Sequence, residues 1–146
     1  MKDLEKCREL LDLIKELGMY TDAIRGRLCE PYNITPVQAI VLNDVYHNEG
    51  TRVTKICERL CKSTNTISPL INRLISFGYL EKIQDKEDKR VVFVYTTPKA
   101  KELLVRLLKD VDEYSYPFFD KISVSQFNKY YDSLHNLNQL LKEEFK

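Results

Sequence analysis

Apolar residues recur at every third or fourth position through most of the chain, and this spacing predicts a protein built mainly from helices. The first such segment covers residues 3–29 and predicts one long amphipathic helix, with an apolar stripe that runs from Leu4 to Leu28. Pro31 is expected to end this helix, because a proline pushes the residue before it out of the helical region.

A second helix is predicted to begin at Thr35-Pro36-Val37-Gln38. Thr35 and Gln38 can form a capping box, and Pro36 suits the first helical position. The helix is expected to end near residues 47–50. Its predicted buried side chains are Ile40, Val41, Leu42 and Val45.

The centre of the chain combines two short helices with a hairpin. Residues 53–60 and 63–77 have the apolar spacing of two helices joined by a tight polar connection. Two predicted strands, residues 79–83 and 91–95, then flank a charged tip at 84–90. This arrangement is typical of proteins that place the second helix in a major groove of DNA and the hairpin in a minor groove.

The second of these helices has two chemically different faces. The positions predicted to face inward are Ile67, Leu70, Ile71, Leu74 and Ile75. The outward positions are small, polar or cationic, namely Thr64, Asn65, Ser68, Asn72 and Arg73. Side chains of this kind can reach base edges and phosphates, which favours DNA binding.

Two further helices complete the predicted elements. Thr97-Pro98 has the cap and first-turn proline of a fifth helix, whose apolar stripe is Ala100, Leu103, Leu104, Leu107, Leu108 and Val111. Pro117 is expected to interrupt this helix within residues 114–119. Ser123 or Ser125 is expected to cap the last helix, whose stripe is Phe127, Tyr130, Leu134, Leu137 and Leu141.

The predicted fold class is mainly α with a small β wing, a winged helix-turn-helix flanked by helices at both ends. We expect a single domain over residues 1–146, with the DNA-binding lobe at 35–100 and a connecting helix at 97–116. The terminal helices, at 1–30 and 118–146, have apolar seams that so small a core cannot cover. A homodimer that packs these helices together is the favoured solution, and an intramolecular helix pair is the alternative.

Charge is unevenly distributed along the chain. The formal net charge is +1, but residues 52–90 contain 9 Lys and Arg against 5 Asp and Glu, a local balance of +4 that leaves −3 for the remainder. A basic segment on a neutral scaffold is typical of a DNA-contacting module, although a solvated hairpin also carries such charges.

Several classes of protein are disfavoured by what the sequence lacks. No stretch approaches the roughly 18 apolar residues of a membrane span, and the N-terminus has no signal-peptide core. Four cysteines without paired spacing indicate free thiols, so we expect a cytoplasmic protein that does not bind membranes. We find no nucleophile–base pair, phosphate-binding loop or metal-ligand run, which disfavours an enzyme, and no cofactor is expected.

Motifs across nearly the whole chain resemble the MarR family of winged helix-turn-helix regulators. Ile34-Thr35-Pro36-Val37-Gln38 resembles the opening of the family's second helix. Residues 64–74, followed by Phe77-Gly78-Tyr79-Leu80, resemble its recognition helix and turn. Asp85-Lys86-Glu87-Asp88-Lys89-Arg90 is similar to its wing signature, Asp-x-x-Asp-x-Arg. Thr96-Thr97-Pro98-Lys99-Ala100 resembles the start of its fifth helix, with Ala100 where glycine is usual.

The resemblance implies a homodimeric transcriptional regulator, usually a repressor, that a small ligand or thiol oxidation releases from its operator. A two-fold dimer would bind a pseudo-palindromic operator in double-stranded DNA, with half-sites about one helical turn apart. Arg90 would enter the minor groove, and Asp88 would orient its guanidinium through a charge-assisted hydrogen bond. An ordinary hairpin salt bridge is the alternative for that pair. The residues expected at the DNA are Lys62, Ser63, Thr64, Asn65, Thr66, Ser68, Asn72, Arg73, Lys86, Asp88, Lys89 and Arg90.

Pro69 departs from the family pattern, since most members have arginine or another polar residue there. If the helix starts at Ser63, Pro69 removes the hydrogen bond to the Asn65 carbonyl, so we expect a distortion over residues 65–69. A start at Ser68 would leave only two turns, too few for the apolar stripe, and the earlier start is therefore preferred. Peroxide-sensing members also tend to have proline here, which favours that branch.

Cys7 and Cys61 are the candidate redox thiols. A redox sensor needs an accessible thiol with a lowered pKa. The resemblance places the peroxide-sensing cysteine at Leu11, one turn after Cys7, while Cys61 lies beside Lys62 near a helix start. Packing roles for all four cysteines are the alternative. A metal shared by Cys57 and Cys61 would need further soft ligands, and neither histidine is close in sequence, so no metal is expected.

The family's ligands bind between the dimer helices and the DNA-binding lobe. The candidate residues for such an effector pocket are Tyr20, Arg25, Arg27, Tyr32 and Tyr46. Aromatic walls with a cation suit a small phenolic or aromatic carboxylate effector. The same residues are equally ordinary as tyrosines at the rim of a core and as a solvated helix face. The alternative for the whole protein is a winged helix that binds another protein without sequence-specific DNA binding.

Overall fold

A computed structural model describes residues 3–144, which form two compact units, and the chain passes from one to the other between Leu108 and Lys109. We call them the N-terminal and C-terminal units. The elements are α1 (Leu4–Cys29), a 3-10 turn (Glu30–Tyr32), α2 (Pro36–His47), α3 (Val53–Leu60), α4 (Thr64–Ser76), β1 (Leu80–Gln84), β2 (Val92–Thr96), α5 (Pro98–Phe119) and α6 (Val124–Glu144). The prediction of a mainly α fold with a small β wing is confirmed. Among residues 3–144, no helix has the length and apolar character that crossing a membrane requires.

The predicted starts of α2, α5 and α6 have side-chain caps. Thr35 accepts the Gln38 backbone N–H at 3.2 Å while the Gln38 side chain accepts the Thr35 N–H at 2.8 Å, so the capping box is confirmed. Thr97 Oγ1 accepts the N–H of the third residue of α5 at 3.3 Å. Of the two candidates at α6, Ser123 is the cap, and it forms a second capping box with Gln126.

The hydrophobic core lies in the N-terminal unit. Its fully buried side chains are Val41, Leu42, Val45, Ile56, Ile67, Ile71, Leu74, Val94 and Ala100. Burial of Ile40 is a wrong prediction, since Ile40 is 36% exposed and lies roughly 200° around α2 from buried Gln38. Leu108 and Val111, which belong to the apolar stripe predicted for α5, are exposed as well. No residue of α6 is buried.

The two strands pair antiparallel, with Leu80 opposite Thr96 and Gln84 opposite Val92. Both begin one residue later than predicted. Tyr79 is excluded because its N–H bonds the Leu74 carbonyl at 2.9 Å and so closes the end of α4. Val91 is excluded because its N–H bonds the Asp88 carbonyl at 2.9 Å within the hairpin tip.

Gly78 joins α4 to the sheet through a tight turn. Its N–H bonds the Ile75 carbonyl at 2.9 Å, and the neighbouring Tyr79 N–H bonds that of Leu74, the two bonds of a Schellman motif. Gly78 has φ +74°, a left-handed conformation that glycine adopts without steric cost. The motif therefore sets the angle at which the wing leaves α4.

Two prolines lie inside helices, and neither interrupts its helix. α4 continues through Pro69, and α5 continues through Pro117 to Phe119, so the expected interruption of α5 is wrong. The start of α4 at Ser63 is confirmed and the helix is continuous over residues 65–69, while the distortion expected there stays a prediction. Each proline removes one hydrogen bond, to the carbonyl four residues earlier. Asn65 and Glu113, whose carbonyls lose that bond, are exposed, so water can solvate them.

Two polar clusters hold α2 against the elements that follow it. In the first, Arg59 of α3 makes a bidentate pair with Asp44 at 2.7 and 2.8 Å and also donates to Thr51 at 2.9 Å. These bonds with Asp44 raise the pKa of Arg59 against a smaller opposing effect of burial. Because the guanidinium spans α2, α3 and the strand-like residue Thr51, this contact fixes three segments together.

In the second cluster, the Glu49 carboxylate accepts the backbone N–H and the hydroxyl of Thr96 and lies 3.5 Å from the Lys101 ammonium. Partial burial opposes ionisation, but the two hydrogen bonds from Thr96 and the Lys101 charge outweigh it and hold the pKa of Glu49 below its ordinary value. The carboxylate therefore joins the end of α2 to β2 and α5.

Alanine at Gly50 is expected to destabilise the protein more than alanine at Gly78. Both glycines have left-handed φ, +75° and +74°, so each substitution costs about 1–2 kcal/mol. A Cβ on Gly50 would also meet the Tyr95 hydroxyl at 2.9 Å, whereas on Gly78 the nearest atom is Lys99 Cδ at 3.9 Å. Urea denaturation of both variants measures the difference, and equal losses would contradict it.

The Glu49 contacts should contribute stability that acid removes. Since the folded pKa of Glu49 is lowered, its contribution is present above the unfolded pKa of about 4.3 and is lost as the pH falls through the folded value. Glu49→Gln should therefore reduce the free energy of unfolding at pH 7 and have a smaller effect at pH 3. Glu102→Gln, at an exposed position of α5, is the control. An effect of Glu49→Gln that is the same at both pH values would be the contrary result.

Candidate DNA interface

α3 and α4 are joined by a turn that places the N-terminus of α4 at the surface. Cys61 ends α3 with φ +51°, and the Lys62 N–H returns to the Cys57 carbonyl at 3.0 Å. Ser63 precedes the first residue of α4 with extended backbone and accepts the Ile67 N–H through its carbonyl at 3.0 Å. Its side chain contacts the Thr66 hydroxyl at 3.1 Å and caps no backbone N–H.

Because one face of α4 is buried in the core, the opposite face, predicted to contact DNA, is exposed to solvent. Ile67, Ile71 and Leu74 are fully buried, and the opposite positions are exposed or, at Ser68, half-buried. In the first turns, Thr64 Oγ1 lies 3.8 Å from Cys57 Sγ, while the side chains of Asn65 and Ser68 have no hydrogen-bond partner among residues 3–144. The N-terminal half of α4 thus has polar groups that are available to a ligand.

In the C-terminal half of α4, the outward side chains are held by neighbours. The Arg73 guanidinium lies over the Phe77 ring, 5.5 Å from its centroid. The Asn72 side-chain oxygen accepts a hydrogen bond from Lys82 Nζ of β1 at 2.8 Å. Recognition-helix residues 72 and 73 are therefore preorganised by contacts with the turn and the wing.

The hairpin tip is shaped by two carboxylates that bind backbone N–H groups. Asp85 Oδ1 accepts the N–H groups of Glu87 and Asp88, each at 2.9 Å. The bonds from the Asp88 and Glu87 N–H groups lower the pKa of Asp85, with a further contribution from the positive charge of Arg52. The Asp85 carboxylate is therefore the local organiser of the turn.

The expected contact between Asp88 and the Arg90 guanidinium is not formed. Asp88 Oδ1 instead accepts the backbone N–H of Arg90 at 2.9 Å, because a carboxylate two residues earlier reaches that N–H within the turn. The Arg90 side chain consequently extends from an ordered backbone.

The exposed cations of this surface are not neutralised within the protein. Lys62, Lys86, Lys89 and Arg90 are exposed, and none lies within ion-pair distance of a carboxylate in the part of the chain that the structure describes. An outward helix face of neutral polar groups therefore lies in the same unit as a hydrogen-bonded tip with three unpaired cations. Such a surface suits a polyanion that presents hydrogen-bonding edges.

Two residues of this surface do not stand out in the sequence. Lys82 touches the recognition helix as described above, and the Arg52 guanidinium lies over the Phe93 ring of β2, 5.6 Å from its centroid. Lys82 is one of two adjacent charged residues in β1, and only the packed structure shows that its ammonium meets Asn72.

The candidate effector residues lie in different surroundings. Tyr20 is 65% exposed on α1, and Arg25 pairs with Asp22 at 3.0 Å. Arg27 is exposed, whereas Tyr32 packs partly against the core. Tyr46 makes an edge contact with the His47 ring. Their grouping into one pocket stays a prediction.

The four cysteines differ in accessibility. Cys7 and Cys61 are exposed, as a redox thiol requires. Cys57 packs partly against the core, and Cys29 is buried. Burial raises the pKa of the Cys29 thiol, only partly offset by Arg25, so this thiol is the less reactive kind. Among residues 3–144, no three His, Cys, Asp or Glu side chains are grouped to hold a metal ion.

Comparisons with known proteins agree with this architecture. The chain is 25% identical over 135 residues to the HTH-type transcriptional regulator MgrA of Staphylococcus aureus, covering 92% of this chain and 84% of that protein. Its fold is similar to that of the Staphylococcus aureus MarR in complex with salicylate and kanamycin, with TM-score 0.85 and 21% identity over 96% of this chain and 95% of that one. It is also similar to Streptococcus pneumoniae FabT in complex with DNA, with TM-score 0.75 and 18% identity over 97% and 99% of the two chains.

The family model described as transcriptional regulator SarA/Rot matches residues 23–107, more than half of the chain. This match spans the end of α1, the helix-turn-helix, the wing and the start of α5. The chain therefore belongs to the SarA/Rot family and is a transcriptional regulator of the winged-helix MarR/SarA type.

Proposed function

We propose that this protein is a homodimeric, sequence-specific DNA-binding regulator, acting as a repressor on a pseudo-palindromic operator. The observation that carries the proposal is the pairing of an exposed polar face on α4 with a wing tip whose three cations, Lys86, Lys89 and Arg90, have no carboxylate partner within residues 3–144. The resemblance of the fold to FabT, which was solved in complex with DNA, supports it.

In this proposal α4 enters the major groove and reads bases with its first turns. Asn65 is the strongest candidate for reading a base, because its amide is exposed and uncommitted and an asparagine can bind adenine through two hydrogen bonds. Lys62 and Ser63 lie just before the helix and are placed to meet phosphates, which helix N-termini also favour. Thr64, Thr66 and Ser68 complete the polar surface.

The wing supplies the second contact. Arg90 enters the minor groove, where a narrow groove concentrates negative potential, and Lys86 and Lys89 meet the flanking phosphates. Asp88 contributes by binding the Arg90 backbone N–H, which orders the tip before DNA arrives. Preordering lowers the conformational entropy that binding must remove.

Dimerisation accounts for the apolar surface that each terminal helix leaves uncovered. On α1, Leu4 and Leu11 are 73% and 63% exposed, and on α6, Tyr130 and Leu134 are 54% and 51% exposed. Apolar area of this extent on a water-soluble chain favours contact with a second copy. A two-fold axis would then place one α4 from each chain on successive turns of DNA.

Release from DNA is proposed to follow binding of a small phenolic or aromatic carboxylate effector, or oxidation of an exposed thiol. The similar Staphylococcus aureus MarR binds salicylate, an aromatic acid, which supports the first route and the candidate residues Tyr20, Arg25, Arg27, Tyr32 and Tyr46. Exposure of Cys7 and Cys61 supports the second.

Arg90→Ala should weaken binding to an operator selected from a random DNA pool. Loss of the minor-groove contact is expected to lower affinity on the order of 10- to 100-fold, as removal of a specific arginine contact costs about 1–3 kcal/mol. Affinity is measured by fluorescence anisotropy over a range of salt concentrations. Arg106→Ala removes the same charge from an exposed position of α5, outside the proposed DNA and dimer surfaces, and should leave affinity unchanged.

Two results would contradict the proposed function. Selection that returns no preferred sequence would indicate a winged helix that binds protein instead of DNA. Unchanged operator affinity in Arg90→Ala would show that the wing tip does not contact the minor groove.

Size-exclusion chromatography with light scattering should give twice the chain mass of 17.2 kDa at micromolar concentration. The exposed seams of α1 and α6 are the physical reason, since burying them against a second copy removes apolar area from water. Arg90→Ala should elute at the same mass, because the wing lies outside those seams. A monomer at this concentration would exclude the dimer.

A further inference from the structure

Lys82 and Asn72 form a bridge between the wing and the recognition helix. Lys82 Nζ donates to Asn72 Oδ1 at 2.8 Å, and both residues are exposed. Lys82 pairs with Val94 across the sheet, so it lies on the sheet face that packs toward α4. The neighbouring carboxylate of Glu81 projects to the other face because side chains alternate along a strand. Lys82 consequently has no ion pair with any residue from 3 to 144.

The bond fixes which groups this pair presents to solvent. A lysine ammonium has only donors, so it must face the oxygen of the Asn72 amide. The amide NH2 then points away from Lys82 and has no partner among residues 3–144. The pair therefore offers the remaining ammonium protons and the two N–H donors of the amide, while the amide oxygen faces Lys82 and already accepts one hydrogen bond. Reading adenine needs a donor and an acceptor together, which this arrangement disfavours.

A ligand with only acceptors and a negative charge fits this pair. If α4 lies in a major groove and the wing tip in the adjacent minor groove, as the proposed function has it, one sugar–phosphate strand must pass between them. Lys82 and Asn72 join these two elements, and so they lie where that strand would cross.

We propose that Lys82 and Asn72 together bind a backbone phosphate of the DNA strand that separates the two grooves. This inference rests on the proposed function and adds to it a site at the junction of helix and wing. Asn72 is then a phosphate ligand that does not distinguish bases. Lys82 has two roles, since it contacts the phosphate and orients the amide that shares it.

Three variants test the pair against the selected operator and an unrelated duplex of equal length. Lys82→Gln should weaken binding to both duplexes by the same factor and reduce the slope of log affinity against log salt by about one. Lys82→Arg should retain most of the affinity and the slope. Lys109→Gln, which removes an exposed lysine charge from the C-terminal unit, is the control and should change neither.

Asn72→Asp distinguishes a pair that binds phosphate from a pair that only holds the wing against α4. A carboxylate keeps or strengthens the bond to Lys82, but it loses the amide donor and adds negative charge. Asn72→Asp should therefore weaken binding to both duplexes at least as much as Lys82→Gln does. Thermal unfolding of each variant confirms that it is folded.

A neutral methylphosphonate placed at successive positions of the operator locates the contact. At one position between the two grooves, the neutral linkage should weaken wild-type binding, and Lys82→Gln should cause little further loss on that DNA. If Lys82→Gln and the neutral linkage together weaken binding no more than either change alone, Lys82 contacts that phosphate directly.

Several results would overturn the inference. These are an unchanged salt slope in Lys82→Gln, full affinity in Asn72→Asp, or losses confined to the operator, which would indicate base reading. Failure of the proposed function is distinguishable, because wild type would then lack sequence preference and Arg90→Ala would have no effect. If wild type and Arg90→Ala behave as expected while the Lys82 and Asn72 variants do not, only the phosphate site is excluded.

Discussion

Burial of one face of α4 is the constraint on which the candidate interface depends. Ile67, Ile71 and Leu74 have no solvent exposure, and any rotation of the helix about its axis would bring them toward water. Because side chains on opposite helix faces move together, fixing this apolar face also fixes the outward direction of Asn65 and Asn72. The direction of the polar face of α4 is thus fixed by the same packing that forms the core.

The wing inherits its position from that helix. The Schellman turn at Gly78 leads from α4 into β1, and β2 is held on its far side by Thr51 and by the Glu49 carboxylate. At the tip, the carboxylates of Asp85 and Asp88 accept hydrogen bonds from backbone N–H groups. Because these carboxylates are not paired with the neighbouring cations, the cations stay exposed to solvent. Helix, turn and hairpin are therefore joined by hydrogen bonds and packing, and the Lys82 contact with Asn72 is a direct consequence of how they are joined.

The apolar side chains of the core and of the terminal helices differ in how far the chain itself covers them. The N-terminal unit covers the apolar face of α4 within its own structure, whereas the apolar side chains of α6 remain at the surface, with none buried. A single chain of this size has too little interior to cover them. A second copy as the partner for that surface is our proposal, and it would make DNA binding and assembly depend on each other.

Local chemistry by itself determines most of the helices and strands. The capping box at Thr35 and Gln38, the proline at the start of α5 and the alternating faces of α4 all act within a few residues, so helix starts and the interface face could be predicted. Tertiary structure decided what depends on distant or competing partners. Helices continue through Pro69 and Pro117 because exposed carbonyls can be solvated, and Asp88 binds a backbone N–H instead of the Arg90 guanidinium because the turn brings that group closer. The bond between Lys82 and Asn72, ten residues apart, exists only because packing of the wing against α4 brings a lysine and an amide within hydrogen-bonding distance.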